Sequence, residues 1–267
     1  FTDILQKLEI PFPPYGVAHS VDEAIATADR LGYPTLIRPS YVLGGEGMRI
    51  AINEDEVAKY VGNVLETYPD NEILLDRFLE DAVELDVDTI CDGDEVWIAG
   101  IMQHIEPAGV HSGDSTAVLP PFSLSDEVLE TIREYVRALA FELDVLGLMN
   151  VQLIVKDETV YVIEANPRAS RTVPFIAKAK DIPIPAIATK VMLGEKLATF
   201  REAGALESDL DDYAIKEPVF SWDKFPEVPK ELGPEMKSTG EAIAFVDSLD
   251  DEHFEQPYEM KDLYLSR

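Results

Sequence analysis

Apolar positions along the chain fall first into a helical rhythm. Val21, Ala24, Ile25, Ala28 and Leu31 recur at the spacing of one helix face. Ser20 and Glu23 precede them as a capping box, and Gly32 stops the run. Pro34 to Arg38 reads as a short strand, followed by the loop Gly44-Gly45-Glu46-Gly47 and a second strand at Met48–Ile52. Asn53 and Glu56 cap a second helix carrying Val57, Val61, Val64 and Leu65. From Ile73 the rhythm changes. Ile73–Leu75, Val83–Ile90, Val96–Ile101, Leu148–Val155 and Val160–Ala165 predict strands. One helix interrupts them: Ser125 caps it, Asp126 and Glu127 suit its positive end, and Val128, Ile132, Val136, Leu139 and Leu143 form its buried stripe. A helix-like run extends from Ile176 to about Leu197. Beyond Arg201 the sequence is acidic, contains proline and is weakly periodic. These blocks predict an α+β protein with mainly antiparallel sheets. They divide into a small lobe at 1–75, a large lobe at 76–205, and an acidic extension at 206–267 that completes the unit or leads to a further domain.

Composition narrows the function classes. A chain of 267 residues with 46% apolar content has enough material for one large domain or two packed lobes. Lys and Arg total 22 against 52 for Asp and Glu, a net charge of −30, which repels nucleic acid and anionic membranes. No stretch of about 20 apolar residues is present to span a bilayer, and the expected location is the cytoplasm. A single cysteine, Cys91, excludes an internal disulfide framework and a cysteine-based zinc site. His19, His104, His111 and His253 are too scattered for a zinc cluster. The chain opens at Phe1 with no Met and no signal-like segment, and reads as a piece of something longer. Acid runs at Glu207–Asp212 and Asp247–Glu252 read as solvated loops. Their density also suits a cytosol of high salt, where the Debye length falls to about 3 Å at 1 M.

Candidate chemistry gathers in four places. Arg38 precedes the glycine loop, an arrangement that holds phosphate or simply forms a tight hairpin. Strand alternation puts Asn150 and Gln152 on one face, and the short Lys156–Thr159 connection brings Gln152 near Glu164, which shares a face with Asn166. Such oxygen ligands suit Mg²⁺. Arg168 and Arg171 follow at once and point to an anion site, with a structural arginine–glutamate network as the alternative. The loop Gly109-Val110-His111-Ser112-Gly113-Asp114-Ser115 lacks the setting of a nucleophile and reads as a ribose or phosphate cradle, or as a structural turn. In Val83–Asp88 one acid on the ligand face would take a ribose hydroxyl, while Asp86 and Asp88 read as members of an exposed acidic face.

The motifs together resemble a known family. They are Arg38-Pro-Ser-Tyr-Val-Leu-Gly-Gly45, Glu84-Leu-Asp-Val-Asp88 with Cys91-Asp-Gly93, and Gly100-Ile-Met-Gln-His-Ile-Glu106. Ala108-Gly-Val-His-Ser-Gly-Asp-Ser115, Gly147-Leu-Met-Asn-Val-Gln152 and Val162-Ile-Glu-Ala-Asn-Pro-Arg-Ala-Ser-Arg171 with Thr172-Val-Pro-Phe175 follow, and Leu232-Gly-Pro-Glu-Met-Lys-Ser-Thr-Gly240 closes the set. They resemble carbamoyl phosphate synthetase large subunits, in particular the ATP-grasp unit of the C-terminal half. Tyr41-Val-Leu43, Val110 with Ser112, and Thr172–Phe175 follow that half rather than the bicarbonate-phosphorylating one.

The resemblance implies an ATP-grasp fold, two α/β lobes with nucleotide between them. It implies a ligase that phosphorylates carbamate with ATP, within carbamoyl phosphate synthesis from bicarbonate and ammonia or glutamine. By it Arg38 would hold ATP phosphate, Arg77 and Leu79 would line the adenine and ribose region, and Glu84 would take the ribose. Gly109, Val110, His111 and Ser112 would complete the nucleotide pocket. Gln152, Glu164 and Asn166 would bind two Mg²⁺ or Mn²⁺ ions, with Glu164 bridging, and Arg168 and Arg171 would sit on carbamate and the transferred phosphate. A K⁺ site belongs to the implied set, and Gln103 and Pro107 depart from it. Implied partners are the rest of the large subunit and a glutamine amidotransferase small subunit, in arginine or pyrimidine biosynthesis. The rivals are the bicarbonate half, another ATP-grasp carboxylate ligase, and a non-catalytic nucleotide-binding regulatory module.

Overall fold

The computed structural model describes residues 1–40, 47–67, 72–208 and 210–249. Gly44 and Gly45 of the glycine loop, and the acidic tail from 250 onward, lie outside the described residues. The first elements are α1 (Thr2–Lys7), β1 (Tyr15–Ala18), α2 (Val21–Leu31), β2 (Thr35–Pro39), β3 (Arg49–Ala51), α3 (Glu54–Thr67) and β4 (Ile73–Arg77). The strands form a four-stranded antiparallel sheet in the order β1-β4-β2-β3. Helices α2 and α3 bury Ala24, Ala28, Val57 and Val61 against Ile37, Ile73 and Leu75. Both caps read from sequence are formed. Glu23 N–H donates to Ser20 Oγ at 3.2 Å and Glu56 N–H to Asn53 Oδ1 at 2.9 Å. The two glutamates reach back to His19 N–H and Ile52 N–H at 2.8 and 3.0 Å. Each such cap is worth about 1 kcal/mol.

The second group comprises β5 (Val83–Cys91), β6 (Val96–His104), β7 (Ala117–Leu119), α4 (Asp126–Glu142), β8 (Gly147–Lys156) and β9 (Thr159–Asn166). After these come α5 (Val173–Lys180), α6 (Ile184–Met192), α7 (Leu197–Glu202), β10 (Tyr213–Val219) and β11 (Gly240–Val246). Their strands make a seven-stranded antiparallel sheet, β11-β10-β7-β6-β5-β8-β9. The stripe of α4, capped by Ser125 as expected, covers one face at Leu85, Val87, Val151 and Leu153. Helices α5 to α7 cover part of the other face at Ile90, Ala99 and Met102. The rest of that face is polar and holds Asp86, Asp88 and Asn150.

Several elements depart from the sequence pattern. Helix α1 packs into the core of the larger sheet through Leu5, and Lys7 pairs with Glu142 at 2.6 Å. The expected run at 176–197 is broken after α5, where Asp181 is left-handed (φ 52°) and Pro183 supplies no N–H, and again at Gly194 (φ 105°). The weakly periodic region after Arg201 contains two strands. β10 shows no alternation because Ala214 through Pro218 are all buried.

Candidate functional site

Register builds the site on the face of the larger sheet opposite α4. Asp86 pairs with Gln152 and Asp88 with Asn150 across β5 and β8. Gln152 in turn pairs with Glu164, and Asn150 with Asn166, across β8 and β9. Two polar rungs therefore cross three strands. Their phase depends on one extra residue. Leu153 pairs with Val162 while Gln152 pairs with Glu164, so Ile163 bulges out of β9. Val160 and Val162 are thereby buried in the α4 core, and Glu164, which simple alternation would bury beside them, turns to the other face.

Gln152, Glu164 and Asn166 offer one carboxylate and two amide oxygens. Asn166 Nδ2 donates to Glu164 Oε1 at 2.8 Å, and Gln152 Nε2 to Asp86 Oδ1 at 3.4 Å, so the Gln152 amide uses its nitrogen, not its oxygen, in that contact. Among the described residues no three His, Cys, Asp or Glu form a closed metal cluster. A single carboxylate falls short of the charge of a divalent ion. The oxygen donors fit a hard cation that shares phosphate oxygens with a nucleotide.

Asp86 and Asp88 correct the expectation of an exposed acidic face: they are 1% and 0% exposed. Asp86 Oδ2 lies 2.9 Å from His104 Nε2, and Asn150 Nδ2 reaches Asp86 Oδ1 and Asp88 Oδ1 at 3.1 and 3.2 Å. Ser170 Oγ donates to Asp88 Oδ1 at 2.6 Å, and Thr172 Oγ1 donates to Asp88 Oδ2. Burial pushes Asp88 up to about 6, helped by the charge of Asp86 and opposed by the two hydroxyls. Burial also works against Asp86 as a carboxylate, yet the His104 contact and charge outweigh it and hold Asp86 below its usual range. His104 moves the opposite way: burial disfavours the imidazolium, and Asp86 and Glu84 more than restore it.

Glu84 stands further along β5, is raised by desolvation, and accepts Gly109 N–H at 3.1 Å. Gly109 itself has φ 93°, and a Cβ there would lie 2.7 Å from the Phe78 ring, so the loop meets the end of the smaller sheet only as glycine. The rest of the loop is pinned. His111 N–H donates to Gly233 O at 2.8 Å, and Val110 N–H to Pro107 O at 3.4 Å. Asp114 accepts the N–H groups of Lys237 and Ser238 at 2.8 and 2.7 Å. Buried Lys216 donates to Ser112 O at 3.1 Å and Ser115 O at 2.7 Å. Burial lowers the His111 pKa, and Arg171 adds to this while Asp114, Asp86 and Glu164 oppose it. His111 thus lies within electrostatic reach of both Arg171 and Glu164.

The smaller sheet contributes Arg38, whose Nε lies 2.7 Å from Asp76 Oδ2. Burial raises the Asp76 pKa against the pull of Arg38. Arg77 follows Asp76 in β4 and so takes the opposite face, where its Nη1 donates to Leu31 O at 2.9 Å. The guanidinium thus closes the end of α2 and is not brought to the polar rungs. Leu79 is half-buried in the β4–β5 connection. Arg168 and Arg171 are exposed, Arg168 Nη1 donates to Ala169 O at 3.2 Å, and no ion pair joins either arginine to a described carboxylate. The sequence pattern gives His104, Ser170, Thr172 and Lys216 no place in the site; it puts Asn150 on the Gln152 face without a role and reads Asp88 as exposed. The available signal was cross-strand: acids at 86 and 88 lie opposite amides at 152 and 150.

The family model for the carbamoyl-phosphate synthase L chain, ATP binding domain, matches residues 1–200. The carbamoyl phosphate synthase large chain of Methanothermobacter thermautotrophicus is 52% identical over 247 residues, 91% of this chain and 23% of that protein. The C-terminal section of the same large chain from Methanocaldococcus jannaschii is 49% identical over 251 residues, covering 91% of this chain and 41% of that protein. The chain thus spans about a quarter of the full-length relative's length. Among solved structures, it is similar to the biotin carboxylase domain of Hydrogenobacter thermophilus 2-oxoglutarate carboxylase, in complex with MgADP, ADP and bicarbonate. There the TM-score is 0.72 at 19% identity, over 92% of this chain and 60% of that one. That likeness concerns the fold, an α+β ATP-grasp arrangement.

Proposed function

The chain belongs to the carbamoyl-phosphate synthase L chain ATP-binding family, and on that premise we propose that it transfers the γ-phosphoryl group of ATP to carbamate, giving carbamoyl phosphate and ADP. The observation that carries this is the set of Gln152–Glu164–Asn166 oxygen donors followed at once by a turn, tied back by Arg168 N–H on Asn166 O at 2.7 Å, that holds two exposed arginines without an ion pair to a described acid. The match to a C-terminal section favours the carbamate step over the bicarbonate step.

In this reading a carbamate oxygen forms a bond to the γ-phosphorus as the bond to the bridging β,γ-oxygen breaks, and ADP leaves with that electron pair. Carbamate is already an anion, so no side chain has to remove a proton. Gln152, Glu164 and Asn166 would hold two Mg²⁺ or Mn²⁺ ions, which when bound neutralise charge on the phosphates. Arg171, with Arg168, orients carbamate and the transferred group, while Glu84 and the Gly109–Ser112 loop hold the nucleoside and Arg38 its phosphates. K⁺, a glutamine amidotransferase subunit, the remainder of the large chain and a cytoplasmic setting complete the proposal.

The test is ATP formation from carbamoyl phosphate and MgADP. The expected result is ATP synthesis that depends on both substrates and on the divalent ion. Bicarbonate-dependent ATP hydrolysis without that reverse reaction would assign the chain to the other phosphorylation step, and nucleotide binding without either reaction to a regulatory module.

A further inference from the structure

We propose that Asp88 is a positioning residue that fixes the arginine turn 168–171 through the hydroxyls of Ser170 and Thr172. The inference rests on the reading of Arg171 as a phosphate ligand and adds what holds it there. The turn connects β9 to α5, and its two guanidinium groups are exposed in a protein of charge −30 without pairing to a described acid. Something other than ion pairing must keep them in place. Ser170 and Thr172 flank Arg171, and both hydroxyls donate to the carboxylate of Asp88 in the floor of the sheet. Ser170 Oγ also accepts the N–H groups of Thr172 and Val173, each at 3.2 Å, at the start of α5. With both neighbours directed inward, Arg171 is left directed outward.

The same carboxylate reaches the metal-ligand side. Asn150 Nδ2 bridges Asp88 and Asp86, and Asp86 accepts the Gln152 amide. One hydrogen-bonded chain, Gln152–Asp86–Asn150–Asp88–Ser170/Thr172, therefore ties the oxygen donors to the arginine turn. A carboxylate suits the central place because it only accepts, and its bonds to donors are about twice as strong as those of a neutral acceptor. Burying it is costly, and this use accounts for its presence in a strand whose other face is hydrocarbon core.

The test compares the full chain with Thr172→Val, Ser170→Ala and Asp88→Asn, using Thr172→Ser as the conservative variant and Arg171→Ala as reference. Inorganic phosphate is titrated into the MgADP-saturated protein, MgADP is titrated separately, and each variant is melted. Thr172→Val and Ser170→Ala should weaken phosphate binding about tenfold, the scale of a lost hydrogen bond to a charged group. Thr172→Ser should behave as the parent. In the Thr172 and Ser170 variants MgADP affinity should stay within about twofold, since neither hydroxyl bonds to the Gln152–Glu164–Asn166 donors or to the Glu84–Gly109 region, and Asp88→Asn should weaken phosphate binding at least as much as either. Kinetically, the KM for carbamoyl phosphate should rise while that for ADP does not. The proposal is overturned if phosphate affinity is unchanged in Thr172→Val, or if phosphate affinity, MgADP affinity and melting temperature fall together, the mark of a purely structural contact. It also falls if the parent takes up no phosphate or if Arg171→Ala binds it normally. Phosphate binding that responds as expected in a chain that makes no ATP would leave the positioning role standing and remove the proposed reaction.

Discussion

Glu164 is the only carboxylate among the three oxygen donors at the site, and the Asn166 amide donates to it at 2.8 Å. Replacing it with Gln keeps shape and hydrogen bonding but removes the charge that two hard cations would share. Glu164→Gln is expected to lower ATP synthesis at least about 10²-fold and to raise the Mg²⁺ concentration for half-activity, with an unchanged melting temperature. Near-normal turnover at parent Mg²⁺ levels would remove Glu164 from the ligand set. Arg171 is distinguished by a different exchange. A lysine retains the charge as a point and loses the planar fork that holds two phosphate oxygens. Arg171→Lys is therefore expected to depress the reverse reaction about 10²-fold while MgADP titration shows little change. Equal loss of both would make Arg171 a nucleotide or fold residue.

At the scale of elements, the bulge in β9 decides which face Glu164 occupies. Deleting Ile163 leaves Val162 and Glu164 as neighbours, which plain alternation puts on opposite faces, so the Leu153–Val162 and Gln152–Glu164 pairs both survive. Deleting Tyr161 instead makes Val160 and Val162 neighbours, and one valine must leave the α4 core at about 1.5–3 kcal/mol. Ile163 deletion should thus cost less in urea unfolding than Tyr161 deletion and should keep the Mg²⁺ dependence of the parent. An Ile163 deletion as costly as the Tyr161 deletion would mean that the phase of β9 is set elsewhere. The same bulge shows why legibility was uneven. Helices α2, α3 and α4 were readable because local caps and a 3.6-residue stripe specify them. The Gln152–Glu164 pairing was readable because a short connection joins adjacent strands. Asp86 and Asp88 were not, since acids alternating with valine and leucine look solvated until amides are known to sit opposite them. β10 was hidden by burial on both faces, and the Arg77 guanidinium by the end of a helix 46 residues earlier in the chain.

Over the whole molecule, charge is distributed in a way that links stability to salt. The net charge is −30, and several of the few cations are already paired: Lys7 with Glu142, Lys196 with Asp94, Arg201 with Glu95, and Arg133 and Arg137 with Glu130. Exposed pairs of this kind contribute about 0–1 kcal/mol each, so screening them removes little. The unpaired carboxylates are far more numerous, and at about 0.1 M salt they repel one another across a Debye length of about 10 Å. At about 1 M that length falls to about 3 Å, and most of the repulsion is lost. Unfolding spreads the charges apart, so the repulsion acts chiefly against the folded state. The chain is therefore expected to melt several degrees higher in molar KCl than at about 0.1 M. The gain should flatten above about 1 M, where screening is nearly complete, and NaCl should match KCl. A melting temperature that is flat or falls between those concentrations would show that the carboxylates are already compensated. A gain that keeps climbing to saturation, or that only K⁺ produces, would point instead to specific ion binding.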